Sequence, residues 1–145
     1  MANGRIHFFA EGVDFHVAHP IRLRRWLRCV VEQEGKILNE LTYVFCSDEY
    51  LHQINVEFLN HDSLTDIITF DTSEGQEGLS GEVYVSLERV SENAYSFNVS
   101  FENELARVIV HGILHLCGHQ DKLELDKQTM RHLESFYLKS LQFTN

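Results

Sequence analysis

The chain is poor in the residues that punctuate or staple a fold. It has one proline, eight glycines and three cysteines in 145 residues. With so little proline and clustered glycine there is no low-complexity tract, linker or internal repeat. The whole chain, 1–145, is therefore expected to form one domain, long enough to bury a substantial core. Cys29, Cys46 and Cys117 are odd in number and widely spaced, which excludes a disulfide framework and fits reduced, mostly buried thiols. The opening MANGRIHFFAEGVDF lacks the apolar core and small-residue cleavage site of a signal peptide. The longest apolar stretch, Val108 to Cys117, is interrupted by His111 and His115 and falls far short of the roughly 20 residues of a membrane span. A cytoplasmic protein without a membrane partner is expected.

Positive charge is also scarce. Lys and Arg total 12 against 22 Asp and Glu, for a net charge of −10, so bulk attraction to DNA or RNA is excluded. The exception is PIRLRRWLR, where Arg22, Arg24, Arg25 and Arg28 cluster. Such a patch is either a solvated helix face or a local anchor for a phosphate backbone, with Arg22 and Arg25 as the candidate contacts.

The 43% of hydrophobic residues are arranged for mixed secondary structure. Ile6–Phe9, Val13–His16, Leu41–Phe45, Asp66–Phe70 and Glu82–Leu87 read as strands. Pro20 suits the first turn of a helix running to Val31. Ser47 caps another, with Leu51, Ile54, Asn55 and Phe58 on one face. A polar loop over 73–80 precedes the Glu82 strand, and Arg89–Phe97 suits a short helix. Ser100 caps a helix ending at Gly118, and Lys122–Leu141 forms the last, with Met130, Leu133, Tyr137 and Leu141 on one face. Strands and helices mix without strict βαβ alternation. The expected class is α+β: a small mixed sheet packed on helices.

The chemistry lies in the helix from Phe101 to Cys117. Its surface is apolar in nearly every direction, which marks a buried central helix. The polar exceptions form one stripe: Glu104, Arg107, His111 and His115. Two buried histidines one turn apart must be hydrogen-bonded or must ligate a metal, and their spacing lets both imidazoles reach one ion. Gly118 can turn the chain back toward that face, bringing Asp121 in as a third ligand. His119 competes for that role only if the helix survives the glycine. Arg107 is expected to pair with Glu104, three positions before it. Two histidines and one carboxylate leave a coordination position open, as in catalytic rather than structural zinc sites. A peptidase of the HExxH type needs a glutamate after the first histidine. Here that position is Gly112, so the expected chemistry turns from peptides toward hydrolysis of a phosphodiester.

HGILHLCG (111–118) with Asp121 behind it resembles the signature of the YbeY family of metal-dependent endoribonucleases and rRNA maturation factors. Ile54-Asn55-x-Glu57-Phe58 followed by Thr65-Asp66-Ile67-Ile68-Thr69-Phe70 is similar to that family's LNxxYR…TDVLSF segment. Gly81-Glu82-Val83 resembles its GDI strand start. The resemblance spans residues ~54–121. It implies a zincin-like metal-site helix with one Zn2+ per chain held by His111, His115 and Asp121. It also implies cleavage of single-stranded RNA, 3′-end processing of small-subunit (16S) rRNA and ribosome quality control, with rRNA and ribosomal proteins as partners. Asp66 and Glu82, in matched blocks, become candidates for positioning or deprotonating water, or alternatively for second-sphere support and strand-edge capping. Three positions depart from the pattern: Asp121 replaces the usual third histidine, Leu59 the family arginine, and Leu64 the proline before Thr65. Beside this reading stand two others, a metalloprotease-like hydrolase and a non-enzymatic ribosome assembly factor in which zinc only fixes the fold.

Overall fold

The fold is given by a computed structural model that describes residues 4–59 and 65–142, with only the backbone of Gln142. Leu64 lies outside the described residues. The elements run β1 (Arg5–Ala10), α1 (Pro20–Gln33), β2 (Leu38–Cys46), α2 (Asp48–Leu59), β3 (Ile67–Asp71), β4 (Leu79–Ser86), α3 (Leu87–Phe97), α4 (Phe101–Leu116) and α5 (Glu124–Gln142). The strands form one sheet in the order β1-β2-β4-β3. The first three run parallel, and β3 lies antiparallel on β4 at the edge. This is the α+β arrangement of a mixed sheet packed on helices.

Local chemistry explains the boundaries. Pro20 sits in the first turn of α1, where its missing N–H costs nothing. Ser47, Ser86 and Ser100 each accept a hydrogen bond from the backbone N–H three residues on, at 3.0–3.1 Å, and so start α2, α3 and α4. Gly118, at φ 109°, stops α4 in a conformation that favours glycine.

The sheet separates two cores. On one face Leu41, Tyr43, Phe45, Val83 and Val85 pack with the buried residues of α1, α4 and α5. On the other, Cys46 and Ile68 pack under Leu51 and Ile54 of α2, with Phe70 and Tyr84 alongside. Alternation along β2 and β4 sends successive side chains to opposite faces, whereas the outer face of β1 carries the exposed Phe9. Tyr43 is fully buried and donates its hydroxyl to the Ile109 carbonyl of α4 at 2.7 Å. That bond ties the middle of the sheet to the central helix.

Helix α4 approaches β4 closely because glycine occupies both surfaces. A Cβ on Gly112 would lie 2.9 Å from Val83 Cγ1 and 3.1 Å from Ile67 Cδ1; one on Gly81 would lie 2.6 Å from Leu116 Cδ1 and 2.9 Å from the Phe70 carbonyl oxygen. The absence of a glutamate at 112 therefore has a packing cause.

Some expectations were not met. Val13–His16 is not a strand: β1 ends at Ala10, Gly12 turns the chain at φ 71°, and Phe15 tucks its ring against Phe45 and Phe101. Of the α2 face expected to carry Leu51, Ile54, Asn55 and Phe58, the first three are buried, whereas Phe58 is 68% exposed and meets Phe70 edge-on. The thiols are free and mostly buried as expected, Cys46 and Cys117 in the interior and Cys29 exposed.

Changing Gly112→Glu would rebuild an HExxH string. It would also force a charged side chain into Val83 and Ile67, so we expect a loss of about 3 kcal/mol or more. Urea denaturation checks this, and a variant as stable as wild type would refute the close-packing account.

Candidate metal centre

His111 and His115 point from one stripe of α4, with ring centroids 4.7 Å apart. The loop after Gly118 returns Asp121 to them: its Oδ2 lies 3.4 Å from His111 Nε2 and 3.3 Å from His115 Nε2. Two donors about 2.0–2.1 Å from a common ion at a tetrahedral angle are about 3.3–3.4 Å apart. All three donor atoms fall within 4.8 Å of one another. The set can therefore hold one divalent metal with little rearrangement. It leaves at least one position for water or substrate if the ion is four-coordinate.

Behind the donors stands a residue that the sequence reading overlooked. Glu134, buried on α5, accepts from His111 Nδ1 at 2.6 Å through one oxygen and from Arg107 at 2.8 Å through the other. Arg107 also donates to the Ser135 hydroxyl at 3.2 Å. The expected Arg107–Glu104 pair is thus replaced by Arg107–Glu134, because α5 presents a carboxylate directly across the helix interface. A carboxylate bonded to the far nitrogen of a histidine fixes ring orientation and tautomer and leaves Nε2 for a metal. A signal did exist. Glu134 is four residues from Met130 and three from Tyr137, in the middle of the apolar stripe of α5, and a charged residue there must have a partner.

The His111 imidazole feels opposing influences. Burial lowers its pKa, but the hydrogen bond and charge of Glu134, with Asp121 and Asp66 beyond, raise it above its ordinary value.

His119 is not brought to the donors. Its Nε2 lies 2.6 Å from Glu34 Oε1 at the end of α1, and the other Glu34 oxygen accepts from the Tyr137 hydroxyl at 2.5 Å. Burial would raise the Glu34 pKa, but the bonds from Tyr137 and His119 outweigh it and hold the carboxyl below its ordinary value.

A cleft of about 480 Å³ opens beside His111 and Asp121, lined also by Asp66, Glu104, Arg131 and Glu134. Asp66 accepts a 3.4 Å hydrogen bond from the Asn93 amide. Burial pushes its carboxyl upward against the pull of His111. Glu104, 5% exposed, is likewise raised by burial and by Asp66.

Asp66 is therefore at the site. Glu82 is not: Gly81 and Val83 face α4, so Glu82 faces the α2 side, where the Tyr84 hydroxyl donates to it at 3.1 Å. Arg22 and Arg25 do not line the cleft either. Arg22 borders a different hollow with Val17, Ser100 and Leu138, and Arg25 is exposed on α1. Their neighbours serve the fold, with Arg24 and Arg28 donating to the carbonyls of Ile6 and Gly4. Among the described residues, the arginines that line the cleft are Arg107 and Arg131.

The family described as Endoribonuclease YbeY matches residues 14–142. A Flavobacterium johnsoniae protein named Endoribonuclease YbeY is 58% identical over 126 residues, covering 87% of this chain and 90% of the relative. One of the same name from Christiangramia forsetii is 48% identical over 134 residues, covering 92% of each. Among solved structures, a Thermotoga maritima protein studied in solution superposes with a TM-score of 0.64 at 28% identity, over 94% of this chain and 89% of that one.

Two measurements probe the centre. Protons compete with metal for His111, whose folded, metal-free pKa is raised above 6.5. The stability that the Glu134–His111 pair contributes is present below 6.5 and lost as pH rises through the raised value. Zn2+ affinity should therefore climb with pH across that same window, with proton release seen by calorimetry in buffers of different ionisation enthalpy. Above the window, Glu134→Gln should weaken Zn2+ binding by about 10–100-fold in chelator competition. Affinity unchanged by that substitution would remove Glu134 from the centre.

Proposed function

The chain belongs to the endoribonuclease YbeY family, and on that premise we propose that it is a single-domain, zinc-dependent endoribonuclease of the cytoplasm. Its substrate is single-stranded RNA, above all small-subunit rRNA during 3′-end maturation and ribosome quality control, with ribosomal proteins as neighbours. The observation that carries this reading is the spacing of His111, His115 and Asp121 beside an open, carboxylate-lined cleft. No helix among the described residues is long and apolar enough to cross a membrane.

Zn2+ is favoured by two imidazoles and one carboxylate. When bound it acts as a Lewis acid that lowers the pKa of water and offsets charge on the phosphoryl oxygens. The protein's own groups do the rest. Glu134 holds the His111 ring so that Nε2 faces the metal position. Asp66, with its pKa raised by burial, is suited to accept the proton of the attacking water, because a general base works best when its pKa approaches ambient pH. The water oxygen bonds to phosphorus as the bond to the departing strand breaks, and the departing oxygen takes a proton from solvent. Arg131, in the cleft wall, supplies a guanidinium for phosphate where the family arginine is replaced by Leu59. The net charge of −10 makes binding depend on such local contacts. A peptidase reading lacks its base, since Gly112 has no room for a glutamate side chain.

Incubating the protein with single-stranded RNA should give cleavage that a chelator abolishes and added Zn2+ restores, and His115→Ala should lose most of it. Cleavage at full rate in chelator would overturn the metal-dependent reading. Intact RNA in the Zn2+-loaded wild type would favour a non-enzymatic assembly role. Asp66→Asn should lower kcat by about 10²–10⁴-fold with little change in KM; a KM effect alone would make Asp66 a binding group.

A further inference from the structure

Two of the three donors are fixed by a rigid helix, but the third is not. Asp121 sits in the short connection between α4 and α5, and a carboxylate on a loop must be ordered before it can bind a metal tightly. The start of that connection is wound by backbone bonds, Gly118 N–H to the His115 carbonyl at 3.0 Å and His119 N–H to the Leu114 carbonyl at 3.1 Å. Beyond them the chain is tethered by the His119 imidazole on Glu34, 2.6 Å away, with side-chain exposures of 31% and 13%. Glu34 is held in turn by the Tyr137 hydroxyl. Tyr137 is held by its carbonyl, which accepts the Trp26 indole N–H at 2.8 Å.

We propose that Glu34, His119 and Tyr137 form a latch that positions Asp121, so that metal affinity is set partly by residues on α1 and α5 that touch neither metal nor substrate. This rests on the metal-ligand reading above. The chemistry of the three groups suits the task. A carboxylate shared by an imidazole and a phenol is a short, directional anchor, and its two oxygens join the loop to α5 through the end of α1. Glu134 and Tyr137 lie three residues apart on α5, so one face of that helix supports both sources of ligands. Glu134 braces His111 on α4, and Tyr137, through Glu34 and His119, braces the loop of Asp121. A displacement of α5 would loosen both together. The three are positioning residues, not ligands.

The test measures Zn2+ affinity by chelator competition, the visible spectrum of the Co2+-substituted protein, and the melting temperature of the metal-free protein. Glu34→Gln should weaken Zn2+ binding by roughly tenfold and alter the Co2+ bands, because Asp121 is no longer held in place. Tyr137→Phe, which removes one hydroxyl and should fold even if Glu34→Gln does not, should weaken binding in the same direction. Glu34→Gln with Tyr137→Phe should be less than additive, as expected for one network. A lower melting temperature with Zn2+ affinity within twofold of wild type and an unchanged Co2+ spectrum would overturn the latch and leave the network as helix packing. If His115→Ala binds Zn2+ as wild type does, the ligand assignment itself fails and the latch falls with it, a result distinct from a failure of the latch alone.

Discussion

Helix α4 lies against β4 only because two facing surfaces lack side chains. Gly112 on the helix and Gly81 on the strand leave room that Val83, Ile67 and Leu116 fill. This close approach fixes the rotation of α4. With one side against the sheet and much of the remainder under α1, α3 and α5, the stripe Glu104–Arg107–His111–His115 is turned toward α5 and the cleft. The position that would carry the base of a peptidase is thereby given to packing. One steric constraint both orients the histidines of the candidate metal centre and leaves no room for a glutamate at 112.

Once the stripe is oriented, the electrostatics of the buried polar groups follow. Arg107 and His111 are partly buried beside a carboxylate, Glu134, that bonds to both. Removing one partner from such a buried arrangement typically costs about 3–5 kcal/mol, because the others are left desolvated and uncompensated. The same carboxylate holds His111 in the orientation that a metal needs. Stability and site geometry are therefore carried by one residue, and the buried charge is kept for orientation as much as for binding the helices together. On the far side of the loop Glu34 has a parallel part, accepting from His119 and Tyr137 at once.

Much of this was legible in the residues. The serine caps at 47 and 100 and the glycine stop at 118 are local rules in which a side chain or an allowed φ satisfies a helix end, and they act before any tertiary contact forms; the cap at Ser86 was hidden inside the expected Glu82–Leu87 strand. The histidine stripe was visible because α4 is apolar almost everywhere else. Asp121 was visible because Gly118 must turn the chain. What failed were inferences needing a distant partner. Val13–His16 has strand-forming residues but, among the described residues, no strand pairs with it. Phe58 has helical spacing with Leu51 and Ile54 but lies near the end of α2, where it is left exposed beside Phe70. Arg107 was matched to Glu104 by proximity in sequence, while its partner came from a helix 27 residues away.

Periodicity, capping and ligand spacing are properties of short stretches of chain, so the α+β class, the central apolar helix and the candidate donors His111, His115 and Asp121, with His119 as competitor, could be read from the residues. Tertiary structure decided which acids join the site. Asp66 and Glu82 were equivalent as letters in matched segments; the sheet sends Glu82 to the α2 face, and the turn into β3 leaves Asp66 in the cleft. The same packing put His119 on Glu34 rather than beside His111 and His115, and placed Glu134 behind His111. Those assignments depend on distances between segments far apart in the chain, and only the packing of α1, α4 and α5 on one sheet sets them.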